Sequence, residues 1–190
     1  EGSVTAILET NSALPQAFGH GTMVAGLVHL VAPTANILPL KAFRADGSST
    51  LFDIVRAIYY ATDNGARVIN MSFSLAKDSR ALARAIKYAT DHGVLVVAAA
   101  GNARSNVNVF PAAYSNATGV ASTTNLDVRS AFTNYGSSIA SLAAPGEQLV
   151  TTFPAGRYAV ASGTSFSSGL VSGLASLLVQ NAPAIKQGDF

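Results

Sequence analysis

Two segments of this chain are apolar along almost their whole length, and stretches with helical periodicity flank both. The segments are Val68–Met71 and Val94–Ala99, and each follows a glycine that can end a helix, Gly65 or Gly93. Strands of this composition are buried on both faces, as in a parallel sheet covered by helices on either side. The sequence therefore predicts an α/β chain with a mainly parallel central sheet and helices on both faces.

The rest of the chain extends this alternation. In the first half the other apolar runs and helical patterns are Val4–Leu8, His20–Val31, Asn36–Ala42, Leu51–Asn64 and Asp78–Asp91. Farther on, short strands are predicted at Ala117–Thr123, Ile139–Ala143 and Leu149–Phe153, followed by a helix from about Thr164 to Gln180. No repeat, low-complexity tract or linker divides residues 1–190, so we expect one domain.

The composition excludes several classes of function. Charged residues make up 12% of the chain and the net charge is only +2, without the basic runs of a nucleic-acid-binding face. The chain has no cysteine, so it offers neither a disulfide nor a thiol nucleophile. Its apolar runs are too short to cross a membrane. We therefore expect no nucleic-acid or membrane partner, and a secreted or extracytoplasmic bacterial enzyme fits this composition.

His20 is the histidine best placed to act as a base. It lies in Gly19-His20-Gly21-Thr22, at the start of an apolar helical pattern, where the first turn of a helix would hold the imidazole rigidly. His29 falls on the opposite face of that helix and His92 at the end of another, so both are expected to be structural. Taken alone, His20 is equally well explained as a capping or buried residue.

Ser165 and Asn102 stand at the ends of two further elements. Ser165 begins the last apolar helix, where free backbone N–H groups and the helix dipole can stabilise an oxyanion. Asn102 follows a buried strand, at the edge where parallel sheets form ligand crevices. An N-cap serine and a turn asparagine are the ordinary explanations of each residue alone. With His20, however, they complete the hydroxyl, imidazole and oxyanion donor that acyl transfer requires.

Five motifs, taken in order, resemble those of the subtilisin-like serine proteases, and the likeness covers nearly the whole chain. They are Gly19–Gly26, Val68–Ser72, Ala98–Asn102, Ala143–Gly146 and Gly163–Ser165. The resemblance implies the three-layer subtilisin-like fold and a serine endopeptidase. In that enzyme Ser165 would be the nucleophile, His20 the general base and Asn102 the oxyanion donor.

The resemblance also implies a polypeptide substrate and the residues that bind it. An extended peptide would pair with the backbone of Ser72, Phe73 and Ser74. The wall of the specificity pocket would be formed by Ala99, Ala100 and Gly101. These small residues predict space for a sizeable apolar side chain, whereas Ser74, where the family commonly has glycine, would narrow or redirect the groove.

The aspartate of the family has no counterpart at the expected place. The family order is Asp, His, Ser, but this sequence has no aspartate before Asp46. Glu9 stands in a similar segment, yet only ten residues separate it from His20. We expect the aspartate on a strand upstream of Glu1, cleaved away or on a separate chain, and further helices beyond Phe190. The alternatives are Glu9 as a substitute and a catalytically inactive, peptide-binding relative.

Calcium is the one cofactor for which the sequence offers candidate ligands. No cofactor is required, and the compact segment from His20 to Pro33 lacks the insertion that carries a strong calcium site in secreted subtilisins. Asp46 and Asp127 are candidate weak calcium ligands, although solvated turns explain them better.

Two other classes of protein are disfavoured by the motifs. An α/β-hydrolase would need Gly-x-Ser-x-Gly and a histidine after the serine, and neither is present. Dinucleotide binding is disfavoured because Val24 stands where a third glycine belongs.

Overall fold

The structure is a computed structural model that describes residues 4–6, by their backbone, together with 15 and 17–190. The helices of these residues are α1 (His20–Val31), α2 (Leu51–Asp63), α3 (Arg80–Asp91) and α4 (Thr164–Asn181), with a short 3-10 helix at Gln187–Asp189. The strands are β1 (Val4–Ala6), β2 (Val68–Met71), β3 (Leu95–Ala99), β4 (Thr118–Thr123), β5 (Leu142–Pro145), β6 (Leu149–Phe153) and β7 (Arg157–Ala161).

A parallel sheet formed by β2, β3, β4 and β5, in that order, lies at the centre. Successive side chains of β3 point to opposite faces of it. Val96 and Ala98 pack into the core shared with α2 and α3, whereas Leu95 and Val97 pack against α4. Burial on both faces explains why this strand is apolar throughout. The predicted α/β class, with a parallel sheet between two layers of helices, is confirmed.

A second, antiparallel sheet has the order β1-β7-β6. The sequence reading missed β7, which pairs with β6 through a turn in which Ala155 and Gly156 both have positive φ. The run predicted at Val4–Leu8 contributes β1 to this sheet and not to the parallel one, and its last two residues lie outside the described part of the chain.

Two of the predicted strands need correction. Asn36–Ala42 forms neither a helix nor a strand, and Ile37, Leu38 and Leu40 remain 43%, 44% and 37% exposed. An apolar run forms a strand only where a neighbour can pair with it, and no described strand lies beside this one. The strand predicted at Ile139–Ala143 begins later, as β5, because the N–H groups of Ile139 and Ala140 both bind the Gly136 carbonyl in a turn.

The contact between α1 and α4 places two N-termini side by side. Val24 packs at Gly169 and Val31 at Gly173, so the helices run parallel. A Cβ at position 173 would lie 2.6 Å from the Cβ of Val31, which shows that the helices approach each other where glycine leaves space. The first turns of α1 and α4, which carry the predicted base and nucleophile, are neighbours as a result.

Candidate active site

His20 is the first residue of α1, and several contacts fix its position. Gly19 precedes it with a φ of 77°, and a Cβ there would collide with the Phe153 ring, so the N-cap must be glycine. Thr151 Oγ1 donates to the Met23 carbonyl at 2.7 Å, which anchors the first turn of α1 to β6. The imidazole packs on Phe166, with 5.7 Å between ring centroids. Since Phe166 follows Ser165 directly, the imidazole lies close to the start of α4.

Ser165 is the second residue of α4 and is 5% exposed. Its Oγ is 3.4 Å from the Ser72 carbonyl, so the hydroxyl faces the end of β2. The N–H groups in the first turn of a helix have no acceptor within that helix, and the dipole of the helix favours negative charge there. A negatively charged oxygen formed beside Ser165 would therefore be stabilised by the backbone N–H groups at the start of α4.

Asn102 reaches the same helix start from the end of β3. Its Oδ1 accepts hydrogen bonds from the Thr164 N–H at 2.9 Å and from Thr164 Oγ1 at 3.0 Å. Thr164 Oγ1 also accepts a bond from the Gly101 N–H at 3.0 Å. Because these contacts engage the amide oxygen, the Nδ2 donor is the group that the side chain can offer to a ligand beside Ser165.

A chain of polar side chains joins β2 to the first turns of α4. Asn70 Nδ2 donates to Ser72 Oγ at 2.8 Å, and Ser172 Oγ donates to Asn70 Oδ1 at 3.0 Å. Ser72 Oγ in turn lies 2.9 Å from the Ser165 carbonyl and 2.9 Å from Ser168 Oγ. The Ser72 side chain is thus turned toward α4, which leaves the backbone after β2 for other contacts.

The residues predicted to bind substrate lie around this point. Ser72, Phe73 and Ser74 continue β2 beyond its last paired residue, and the Phe73 ring packs on Phe43 at a centroid distance of 5.1 Å. Ala99 and Ala100 are buried at the carboxyl end of β3, next to Gly101. The structure therefore brings the predicted groove, pocket wall, oxyanion donor and nucleophile to one edge of the parallel sheet.

Several predicted or excluded residues lie elsewhere. Glu9 is outside the described residues. His29 is exposed, and His92 contacts the Tyr88 carbonyl through Nδ1 at the end of α3. The Asp46 carboxylate accepts bonds from the Oγ and N–H of Ser48, and these bonds lower its pKa.

Metal and membrane sites find no support in the described residues. Within this part of the chain, no three histidine, aspartate or glutamate side chains are grouped so that they could hold a metal ion. Among its helices, none combines the length and the apolar character needed to cross a bilayer.

Two residues that the sequence analysis did not assign contribute directly to this geometry. Thr164 was visible within the motif Gly163-Thr164-Ser165, but its bonds to Asn102 and Gly101 depend on the meeting of α4 with β3. Asn134 bonds the backbone on either side of Asn102, but the sequence gave no indication of this, because Asn134 stands in a polar loop far along the chain. Both are found only when the elements are placed in space.

The chain is similar in sequence and in structure to several known proteins. Thermitase of Thermoactinomyces vulgaris is 41% identical over 88% of this chain and 64% of its own length. Subtilisin BL of Lederbergia lenta is 36% identical over 87% of this chain and 65% of its own length. A crystal structure of a cold adapted subtilisin-like serine proteinase superposes with a TM-score of 0.85 at 33% identity, covering 92% of this chain and 66% of that protein.

The chain thus spans less than two thirds of the length of these two relatives. The sequence model of the subtilase family, peptidase S8, matches residues 7–189. The predicted three-layer subtilisin-like fold and the predicted family are both confirmed. The chain belongs to the subtilase family.

Proposed function

We propose that the protein is a serine endopeptidase, with Ser165 as nucleophile, His20 as general base and acid, and Asn102 as oxyanion donor. The observation that carries this proposal is the pair of hydrogen bonds from Thr164 to Asn102, which holds the Asn102 amide beside Ser165 at the N-terminus of α4. The His20 ring, packed on the neighbouring Phe166, supplies the base. The structural likeness to a cold adapted subtilisin-like serine proteinase supports the same reaction class.

The reaction follows from these positions. Ser165 Oγ attacks the peptide carbonyl while His20 takes its proton, and the negative charge moves to the carbonyl oxygen. That oxygen is stabilised by Asn102 Nδ2 and the Ser165 N–H. His20 then gives the proton to the leaving amine as the C–N bond breaks, which leaves an acyl-enzyme. A water molecule, deprotonated by His20, then attacks the acyl carbon. The bond from this carbon to Ser165 Oγ breaks, the acid leaves, and His20 returns the proton to Ser165 Oγ.

The proposed substrate is an extended polypeptide. Its backbone would add a strand along Ser72, Phe73 and Ser74, where the chain continues past the last paired residue of β2. The wall formed by Ala99, Ala100 and Gly101 has little side-chain bulk and favours a sizeable apolar residue. No cofactor enters this chemistry, and we place the enzyme outside the cytoplasm of a bacterium.

The carboxylate that orients His20 is proposed to come from an upstream segment of the protein. The far edge of β2 has no partner among the described strands, and residues 36–42 expose three apolar side chains. The contact of Phe43 with Phe73 ties this segment to the end of β2. A parallel strand inserted between them would cover the apolar side chains. A carboxylate following that strand would lie at the edge that carries the site.

Hydrolysis of a chromogenic peptide, with and without the upstream segment, tests the proposal. We expect activity with the segment present, none in Ser165→Ala, and a loss of about 10²–10³ in kcat for Asn102→Ala. Asn64→Ala is the matched control, since Asn64 is exposed and bonds only the end of its own helix. Full activity of Asn102→Ala would contradict the assignment. Peptide binding without cleavage in both forms would favour the alternative, an inactive peptide-binding relative.

A further inference from the structure

Asn134 is a buried side chain whose hydrogen bonds converge on one short segment of the chain. It is 1% exposed. Its Nδ2 donates to the Ala100 carbonyl at 2.9 Å, while its Oδ1 accepts from the N–H groups of Ala103 and Ser105 at 2.9 and 3.1 Å. Its own N–H donates to the Gly101 carbonyl at 2.8 Å. The partners also fix the amide orientation, because a flipped amide would set donor against donor.

These bonds bracket Asn102 without touching it. Ala100 and Gly101 are held immediately before it, and Ala103 and Ser105 after it. Gly101 has a φ of 97°, and the space that a Cβ would need there is occupied by Asn134 Nδ2. The backbone therefore leaves β3 in a direction that Asn134 enforces. Loss of its amide would leave the carbonyl of the fully buried Ala100 without this donor and would release the N–H groups of Ala103 and Ser105, so residues 100–105 would no longer be held in this path.

Asn102 is thus held at two points. Thr164 holds the oxygen of its side chain, and Asn134 holds the backbone on either side. A donor stabilises a developing oxyanion efficiently only if it is in place before the charge forms. We propose that Asn134 is a positioning residue of the oxyanion site, acting through residues 100–105 on the direction of Asn102 Nδ2. The inference rests on the proposed peptidase function.

A merely structural role for Asn134 makes a different prediction. If the residue only stabilises the loop, its replacement lowers activity by the same factor whether or not Asn102 is present. If it acts through Asn102, its replacement costs nothing further once the Asn102 amide has been removed. The comparison of the two backgrounds therefore separates positioning from general stability.

The experiment measures kcat and KM for Asn134→Asp and Asn134→Ala, each with Asn102 intact and in Asn102→Ala. Asn134→Asp keeps the shape and the acceptor oxygen but loses the donor to Ala100, so it remains useful if the alanine variant does not fold. We expect kcat to fall about tenfold or more with Asn102 intact. We expect no further loss in Asn102→Ala. An equal fractional loss in both backgrounds would overturn the inference.

The matched control is Ser130→Ala. Ser130 is buried near Asn134 in the sequence, and its hydroxyl lies 2.8 Å from Ser122 Oγ, so this variant loses a buried hydrogen bond that involves neither Asn134 nor residues 100–105. Hydrogen exchange of the 101–105 amides gives a readout that does not need activity. Exchange should accelerate in the Asn134 variants and not in Ser130→Ala, and unchanged exchange in the Asn134 variants would overturn the inference. A wild-type protein that is inactive with its upstream segment present would instead contradict the proposed function, and exchange would still show whether Asn134 orders residues 101–105.

Discussion

The side-chain oxygen of Asn102 accepts two hydrogen bonds from Thr164, one from its N–H at 2.9 Å and one from its hydroxyl at 3.0 Å. This pair joins the end of β3 to the start of α4, so the orientation of the amide is set by the meeting of two elements. The same hydroxyl accepts from the Gly101 N–H. A single buried threonine therefore fixes both the side chain and the preceding backbone of the proposed oxyanion donor.

Replacing Thr164 by valine should lower turnover more than substrate binding. Valine keeps the shape but removes the hydroxyl, so Asn102 Oδ1 loses one donor and the Gly101 N–H loses its acceptor. We expect kcat to fall about tenfold, with a smaller change in KM. Steady-state kinetics on a peptide substrate give both values. Thr62→Val removes a buried hydroxyl from α2, far from the site, and should leave kcat unchanged; equal kcat in the two variants would refute this role.

Filling the glycine at the α1–α4 contact should destabilise the fold. In Gly173→Val the new side chain would meet Val31 and force the two helices apart, at a cost of about 1–3 kcal/mol. Urea denaturation measures the change in the free energy of unfolding. Gln180→Val introduces the same residue at an exposed position of α4. If both variants were equally stable, the close approach of the helices would be wrong.

Gln187 should stabilise the sheet from outside it. Its side chain accepts from the Val96 N–H at 2.6 Å and donates to Thr118 Oγ1 at 2.7 Å, so it bridges β3 and β4. Gln187→Ala would leave a buried N–H without this acceptor and should cost about 1–3 kcal/mol. Thermal denaturation compares it with Asn181→Ala, which loses an exposed bond at the end of α4. A melting temperature no lower than that of Asn181→Ala would refute the bridge.

Tyr114 should contribute to loss of stability in alkali. Burial raises the pKa of Tyr114 to about 12, and its hydroxyl donates to Asp78 at 2.8 Å. An unfolded tyrosine ionises near pH 10, so the folded chain retains this proton longer. The stabilisation is complete below about pH 10 and is lost as the pH rises toward about 12. Denaturation at several pH values should show a smaller alkaline decrease in Tyr114→Phe than in Tyr158→Phe, which changes an exposed ring.

The central sheet, and the places of the proposed site residues at the ends of helices and strands, could be predicted because both depend on local sequence patterns. β3 is buried on both faces and is therefore apolar throughout, and α1 begins at His20 as expected. The positions of His20, Asn102 and Ser165 at the ends of elements followed from these patterns. Their assignment to catalysis depended on the resemblance to a family.

The misses arose where a structure depends on partners distant in the sequence. Residues 36–42 have the apolar pattern of a strand, but pairing decides whether a ladder forms. β7 is an exception, because it pairs with the neighbouring β6; its half-exposed residues gave little signal, although Gly156 marked the turn before it. Asn134 contacts the segment around Asn102 from 29 to 34 residues away, and no local pattern announces such a contact.

The assignment of Ser165 as the nucleophile is tested by identifying the residue that a fluorophosphonate labels. Trypsin releases residues 158–186 as one peptide, which contains Ser165 together with Ser162, Ser167, Ser168, Ser172 and Ser176. Fragmentation of this peptide by mass spectrometry locates the adduct. We expect labelling of Ser165 that is lost when His20 is replaced by alanine. An adduct on another serine, or no adduct in a form of the protein that cleaves peptides, would contradict it.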